Sequence, residues 1–333
     1  MAYTTIDDPE AYFQTVIYTG DGSADHAITL PGDTDMQPDV VWIKNRDATD
    51  SHCFFDSVRG ATKVMHVELE AAETTDADTL DSFTSDGFQV DADVKVNTNT
   101  EDYVAWCWKE SATSGFDIVQ YTGPGGIANI SHSLSAVPHV FIVKCQDASK
   151  PWSVYHHKNT AAPETDKLSL HTTDATLDIV NYWNDTAPTS SVFTIGATND
   201  VMEDGKVFMT YLWSEKQGFS KFGGYTGNGN ADGTFVYTGF RPAFVMTKQT
   251  DGTDWWVIND TKRNTYNPTD LGVYPNGNNA ETSDEAWTKD ILSNGFKHRT
   301  TNSGSNGSGN TYIYMAFAEA PFVNSNGVPC NAR

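Results

Sequence analysis

The chain has 333 residues, of which 38% are hydrophobic and 12% aromatic, with nine Trp, fourteen Tyr and seventeen Phe. This aromatic content argues against an intrinsically disordered chain, which would have few bulky residues from which to build a core. The formal net charge of −23 disfavours binding to nucleic acid, because phosphates attract Lys and Arg. A strongly acidic surface favours solubility instead, which suits a protein that is exposed to the medium.

Targeting signals and cysteine pairs are not evident in the sequence. The N-terminus shows no cationic segment followed by an apolar run, and no apolar stretch is long enough to span a bilayer. We therefore expect synthesis in a cytoplasm and no membrane insertion. None of the four cysteines forms a CxxC pair, so Cys53, Cys107 and Cys145 are predicted to be small buried residues within strands.

Four sequence markers recur in the same order about every 104 residues. The first is a glycine turn, at 18–22 (YTGDG), 121–125 (YTGPG) and 225–229 (YTGNG). The second is an apolar strand between Pro and Lys, at 38–44 (PDVVWIK), 138–144 (PHVFIVK) and 242–248 (PAFVMTK). The third is a strand that ends in a turn, at 82–88 (SFTSDGF) and 291–296 (ILSNGF), with a degenerate copy at 191–196 (SVFTIG). The fourth is an aromatic strand, at 103–110 (YVAWCWKE), 208–215 (FMTYLWSE) and 312–319 (YIYMAFAE).

The markers predict three tandem units. Their ranges are 1–112 for the first unit, 113–216 for the second, and 217–333 for the third with its C-terminal tail. Only short segments, 110–115 and 215–218, connect the flanking strands. Because linkers this short do not allow free tumbling, the units are expected to pack together or to keep a fixed angle.

Within a unit, the pattern predicts strands. Segments 40–43 and 140–143 are β-branched and aromatic runs bounded by Pro and polar clusters. Segment 103–108 has no polar break, so both faces of that strand should be covered. One short helix is predicted within 57–73. The fold class is therefore all-β, with three antiparallel β-sandwiches, and a jelly-roll variant is equally compatible.

Catalytic chemistry finds little support in the sequence. The chain has no G-x-S-x-G, H-E-x-x-H or Walker loop. Glu110, Glu215 and Glu319 occupy equivalent repeat positions, which favours a structural role over catalysis. We predict a protein that is not an enzyme and that needs no cofactor.

Two kinds of binding site are candidates. Asn228, Asn230 and Asp232 place oxygen atoms at alternate positions before Gly233, as in a calcium loop, although such turns are also ordinary connections between strands. Exposed tryptophans can stack on sugars, which makes glycan contacts of Trp152, Trp255 and Trp256 a hypothesis; the alternative for each ring is core packing.

Several longer strings resemble a family of repeat-containing virion structural proteins from marine tailed phages. The strings are 2–15 (AYTTIDDPEAYFQT), 41–46 (VWIKNR), 56–60 (DSVRG), 103–109 (YVAWCWK), 218–229 (GFSKFGGYTGNG), 235–245 (FVYTGFRPAFV), 312–322 (YIYMAFAEAPF) and 327–333 (GVPCNAR). The resemblance covers nearly the whole chain. Such proteins are described as tail-fibre-like or head-decoration proteins and are largely uncharacterised, so no catalytic residues carry over. The second unit lacks the DSVRG string, which puts strict equivalence of the three units in doubt.

The resemblance implies a non-enzymatic structural protein on the exterior of a bacteriophage virion, made in the bacterial host cytoplasm. It would be a capsid decoration or part of a tail or fibre appendage. Its expected partners are major capsid or tail proteins and further copies of itself. The alternative is a host-recognition module that binds a cell-surface glycan or receptor, and a glycan-degrading enzyme is the third hypothesis.

Overall fold

A computed structural model describes residues 2–331. The outer ends of the first and third units, and the last two residues of the string 327–333, lie outside this range. The all-β prediction is confirmed, since the helices are single turns and the remaining regular structure is antiparallel strand. None of the helices within 2–331 is long and apolar enough to cross a membrane.

The elements are as follows. The first unit contains a 3-10 turn Pro9–Ala11, β1 (Phe13–Thr19), β2 (His26–Thr29), β3 (Val40–Asn45), β4 (Cys53–Asp56), β5 (Lys63–Val64), β6 (Thr74–Thr75), β7 (Leu80–Thr84), β8 (Gly87–Val90), α1 (Val94–Asn97) and β9 (Asp102–Trp108). The second contains β10 (Phe116–Thr122), β11 (Ala128–Ser131), β12 (Val140–Cys145), β13 (Ser153–His156), a 3-10 turn Pro163–Thr165, β14 (Asp166–Ser169), β15 (Leu177–Asp178), β16 (Val192–Ile195), α2 (Asn199–Met202) and β17 (Val207–Trp213). The third contains β18 (Ser220–Thr226), β19 (Phe235–Tyr237), β20 (Phe240–Gln249), β21 (Val257–Asp260), β22 (Leu271–Gly272), β23 (Thr282–Ser283), a 3-10 turn Glu285–Trp287, β24 (Lys289–Leu292), β25 (Gly295–His298), α3 (Ser303–Asn306) and β26 (Thr311–Pro321).

One strand order occurs three times. The main sheets are β1-β9-β3-β4, then β10-β17-β12-β13, which continues into β14 and β15, and then β18-β26-β20-β21. In each sheet the first strand of the unit pairs with the last strand. On its other side the last strand pairs with the apolar strand between Pro and Lys (β3, β12 or β20), called the PxxxxxK strand below. Each main sheet is accompanied by a smaller one, β2-β8-β7, β11-β16 or β19-β25-β24.

Both faces of the main sheets are covered, as the unbroken apolar strands predict. In the first unit, alternate residues such as Val41, Phe55 and Tyr103 pack towards the smaller sheet. The intervening residues, such as Trp42 and Trp106, point the other way. Because side chains alternate along a strand, one sheet supplies two separate cores.

The second of these cores is shared by all three units. Phe54 of the first unit packs edge-on against Tyr211 of the second, with ring centroids 4.9 Å apart. Trp108 contacts Trp213 at 6.4 Å and Phe244 of the third unit at 5.8 Å. The three main sheets therefore surround one aromatic centre, and the three units share this core.

The predicted helix within 57–73 is wrong. This segment forms turns and the two-residue strand β5, because Gly60 and Thr62 have positive φ and the buried side chain of Arg59 pairs with Glu73, 14 residues further on. The three one-turn helices lie elsewhere, immediately before the last main strand of each unit. Each is capped by a side-chain oxygen of the preceding residue, as in Asp93 and Thr198.

Candidate functional site

The units meet at three joints, and the same backbone hydrogen bond occurs at each. A residue in the long loop of one unit donates its N–H to the residue that follows the PxxxxxK strand of the next unit. The three bonds are Glu73 N–H to Gln146 O, Thr176 N–H to Thr250 O and Glu281 N–H to Arg46 O, each 2.8 Å. The first unit thus contacts the second, the second the third, and the third the first, so the ring is closed.

A ring N–H crosses each joint beside that bond. Trp152 Nε1 donates to His66 O at 3.1 Å, and Trp256 Nε1 donates to Ser169 O at 2.9 Å. At the equivalent position of the first unit stands His52, whose Nε2 lies 3.0 Å from the carbonyl of Tyr274. Trp42 Nε1 donates to His52 Nδ1, so Nε2 is the protonated nitrogen of a neutral ring. Burial lowers the pKa of His52 to about 3, which keeps that form at neutral pH.

Each PxxxxxK lysine is fully buried and donates to the carbonyl of the next residue and to a carbonyl of the following turn. Lys144 also donates across its joint to Glu70 O at 2.9 Å, and Lys248 to Thr173 O at 3.2 Å. Burial lowers the pKa of the three ammonium groups, Lys44 included, to about 8. The carbonyls favour the charged form, so these lysines tie each turn, and two of the joints, to the ring.

Buried ion pairs fill two of the joints. At the first joint, Arg59 Nη1 lies 3.1 Å from Glu73, and Arg59 Nε lies 2.5 Å from Asp56. At the third joint, Arg263 and Arg46 both bind Glu281 at 2.8 Å. These arginines are satisfied by carboxylates on their own and the adjoining unit, which is what buried charges require.

The second joint lacks such an ion pair among the described residues and contains an open cleft instead. Its volume is about 690 Å³. Here Asn159 and Thr176 occupy the positions that Arg59 and Glu73 occupy at the first joint. The Thr176 hydroxyl donates to Asn159 Oδ1 at 2.6 Å. Asp166, Asp178 and Lys158 also line the cleft, opposite Thr226, Tyr225 and Thr311 of the third unit.

The three equivalent glutamates have different surroundings. Burial and, to a lesser extent, a hydrogen bond with Asp117 together raise the pKa of Glu110 to about 7. Glu215 accepts from Lys221 Nζ at 2.8 Å, and Glu319 accepts from Arg241 at 3.1 Å. Glu110 and Glu215 are thus held by the first strand of the following unit, whereas Glu319 is held within its own unit.

The structure buries two of the three candidate glycan-binding tryptophans. Trp152 is 1% exposed and Trp256 is 3% exposed, and both indole N–H groups are used across the joints. Their rings are therefore out of reach of a glycan, because core packing takes both faces. Trp255 is half-buried against Tyr274, with ring centroids 5.1 Å apart, and its glycan contact stays a prediction.

The oxygens of the predicted calcium loop have hydrogen-bond partners within the protein, and the calcium site stays a prediction. Asn228 Oδ1 accepts from the Asn230 N–H at 3.0 Å, and Asn230 Oδ1 accepts from the Asp232 N–H at 2.9 Å. Asp232 is paired with Lys297 at 2.5 Å and with Arg299 at 3.1 Å. These oxygens close the turn and pair with two cations. No cluster of three or more His, Cys, Asp or Glu side chains within 2–331 is arranged to hold a metal.

The cysteine prediction is confirmed for the three strand residues. Cys53, Cys107 and Cys145 are unpaired and buried in β4, β9 and β12. Burial raises the pKa of the Cys107 thiol, which therefore stays protonated and unreactive.

Sequence reasoning missed the cleft and the ring closure. The signal for the cleft was in the repeat itself, since Asn159 stands where the other two units have Arg59 and Arg263. Ring closure left no local signal, because it depends on loops of one unit reaching the next.

No curated protein matches the chain. One family model, described as a domain of unknown function (DUF7483), matches residues 8–321 and so spans all three units and all three joints. The chain belongs to this DUF7483 family.

Proposed function

We propose that the chain is a non-enzymatic structural component of the outer surface of a bacteriophage virion, either a capsid decoration or part of a tail or fibre appendage. The observation that carries this proposal is the closed ring of three main sheets around one aromatic centre. Three joints with the same backbone hydrogen bond, together with a shared core, hold the units in a fixed arrangement. A body of this kind presents three similar faces, which suits a position of local threefold symmetry on a shell or tail.

The charge supports a place outside the DNA-filled interior. A net charge of −23 repels packaged nucleic acid and limits non-specific contacts with other acidic surfaces. The expected partners are the major capsid protein or tail proteins, and further copies of this chain are a second kind of neighbour. The resemblance of the long sequence strings to virion proteins of marine tailed phages supports the same assignment.

The test is the copy number per particle, measured by quantitative mass spectrometry of purified virions of the encoding phage against the major capsid protein. Hundreds of copies are expected for a head decoration, and a small multiple of three or six for a tail component. Host lysate proteins of similar abundance serve as the contamination control. Absence from the purified virion refutes the proposal.

A further inference from the structure

The cleft at the second joint exists because side chains that fill the other two joints are short there. Four positions can be compared, since they lie at the same places on equivalent strands and loops. The sets are Arg59, Glu73, Gln120 and Gln146 at the first joint, Asn159, Thr176, Gly224 and Thr250 at the second, and Arg263, Glu281, Ile17 and Arg46 at the third.

At the first joint the long side chains form a connected chain of bonds. Gln120 Nε2 donates to Gln146 Oε1 at 3.0 Å, and Gln146 Nε2 reaches Glu73 Oε1 at 3.5 Å. Glu73 in turn binds Arg59. At the third joint the two-arginine clamp on Glu281 fills the same space.

The second joint replaces this filling with short residues. Gly224 has no side chain, and its backbone lies against Lys158 and Tyr312. Thr250 pairs its hydroxyl with that of Thr311 at 2.7 Å and reaches no further. The ring still closes here through the Thr176–Thr250 backbone bond, so the cleft is opened by truncation and not by separation of the units.

One buried polar group at the cleft is left without a partner. Asn159 is 6% exposed, and its Nδ2 finds no hydrogen-bond partner in the described chain. A buried amide N–H without a partner is destabilising, because it loses its bond to water and gains none in return. Asn159 belongs to the lining of the cleft, and Thr176 holds the oxygen side of its amide, so the unpaired N–H beside it is suited to an acceptor supplied by a ligand.

The remaining lining sets the chemistry of that ligand. Asp166 is 5% exposed and accepts from the Thr160 hydroxyl, and Asp178 and Asp251 add two more carboxylates at the rim. Lys158 is the one cationic residue in the lining. Carboxylates accept hydrogen bonds from alcohols, and hydroxyls both donate to alcohols and accept from them. The excess negative charge of the lining opposes ligands with phosphate, sulfate or carboxylate groups.

We propose that the cleft between the second and third units binds a short neutral saccharide. The hydroxyl groups of the sugar would accept from Asn159 Nδ2 and donate to the aspartates. The volume of the cleft, about 690 Å³, lies in the range of small-ligand sites. The faces of the Tyr225 ring are occupied by Tyr312 and His298, so recognition here rests on polar contacts. This site goes beyond the structural role proposed above and differs from the tryptophans considered from the sequence.

The test uses the purified full chain and four neutral trisaccharides: maltotriose, cellotriose, mannotriose and triacetylchitotriose. Saturation-transfer NMR should give saturable binding of at least one of them. The double variant Asn159→Arg/Thr176→Glu recreates the pair present at the other two joints, fills the cleft, and should weaken binding at least tenfold. Tyr266→Ala, at a side chain that is 82% exposed and outside the cleft lining, is the matched control and should bind as the wild type does.

Thermal unfolding distinguishes a filled cleft from a misfolded chain. If the double variant does not fold, Thr250→Gln, which restores the length of Gln146 at the rim, takes its place with the same expected loss. Binding of none of the four sugars overturns the proposal, as does undiminished binding to a folded cleft-filling variant. Tighter binding of sialyllactose than of every neutral sugar also overturns it. These results are independent of the virion copy number, so failure of one proposal leaves the other standing.

Discussion

Replacing Trp106 by Phe tests whether the three units share one core. Trp106 is fully buried in the aromatic centre, and its Nε1 donates to Asp260 Oδ2 of the third unit at 3.1 Å. Phe keeps an aromatic ring but removes a hydrogen bond to a buried carboxylate, worth about 1.5–3 kcal/mol. The smaller ring adds a void, so the total loss should be about 2–4 kcal/mol. For a chain of 333 residues this corresponds to a fall in Tm of about 3–6 °C.

The assay is urea and thermal unfolding, followed by tryptophan fluorescence and far-UV circular dichroism together. Trp255→Phe is the matched control, since that ring is half-buried and packs on Tyr274, and it should cost under about 1 kcal/mol. A single transition that shifts as a whole is expected. If Trp106→Phe instead moves one of several resolved transitions, or costs no more than the control, then the units are independent and the shared core does not stabilise the ring.

Three further substitutions probe buried polar groups. His298→Val removes a fully buried imidazole with no hydrogen-bond partner in residues 2–331. Burial holds the pKa of His298 well below its ordinary value, so wild-type stability is lost as pH falls below about 6.5. In urea unfolding the variant should therefore be more stable than the wild type by about 1 kcal/mol at pH 7 and by more at pH 5. Glu110→Gln should leave the free energy of unfolding nearly unchanged near pH 4.5 and raise it by about 1 kcal/mol at pH 8. The reason is that the pKa of Glu110, raised to about 7, makes its stabilising contribution complete at low pH and lost as pH rises through 7. A difference in unfolding free energy between variant and wild type that does not vary with pH contradicts this. Lys144→Met should lower the free energy of unfolding in urea by about 2–4 kcal/mol, because three carbonyls, including Glu70 O, lose their donor, and an unchanged midpoint would count against that role.

The fold class was readable from the sequence because apolar strands and glycine turns are local signals. Segment 103–108 predicted a strand covered on both faces, and the structure places Trp106 in one core and Tyr103 in the other. The helix predicted within 57–73 failed because the chain turns at Gly60 and Thr62, which have positive φ, and because the buried Arg59 pairs with Glu73, 14 residues further on. Propensity is a weak prior where a buried charge must be satisfied.

The candidate site was less predictable. Aromatic residue type alone does not tell an exposed ring from a buried one, which is why Trp152 and Trp256 were considered as glycan contacts although their N–H groups bind across the joints. The loop at Asn228 had the oxygen spacing of a calcium site, but its oxygens are used within the turn and by cations far away in sequence. The repeat carried a sign of the cleft, since Asn159 stands where the other units have Arg59 and Arg263, but using that sign required knowing which residues face each other across units.

Closure of the ring also sets an order of events during synthesis. Arg46 and Glu281, which meet at the third joint, are 235 residues apart, so this contact closes the longest loop among the joints. Ribosomes release the N-terminal unit first, and non-local pairing is slow. Until the third unit emerges, the aromatic faces around Trp106 and Trp213 stay open to water on the nascent chain. Productive assembly of this protein therefore depends on protecting those faces during the interval, and slower translation lengthens the period in which neighbouring nascent chains can aggregate through them.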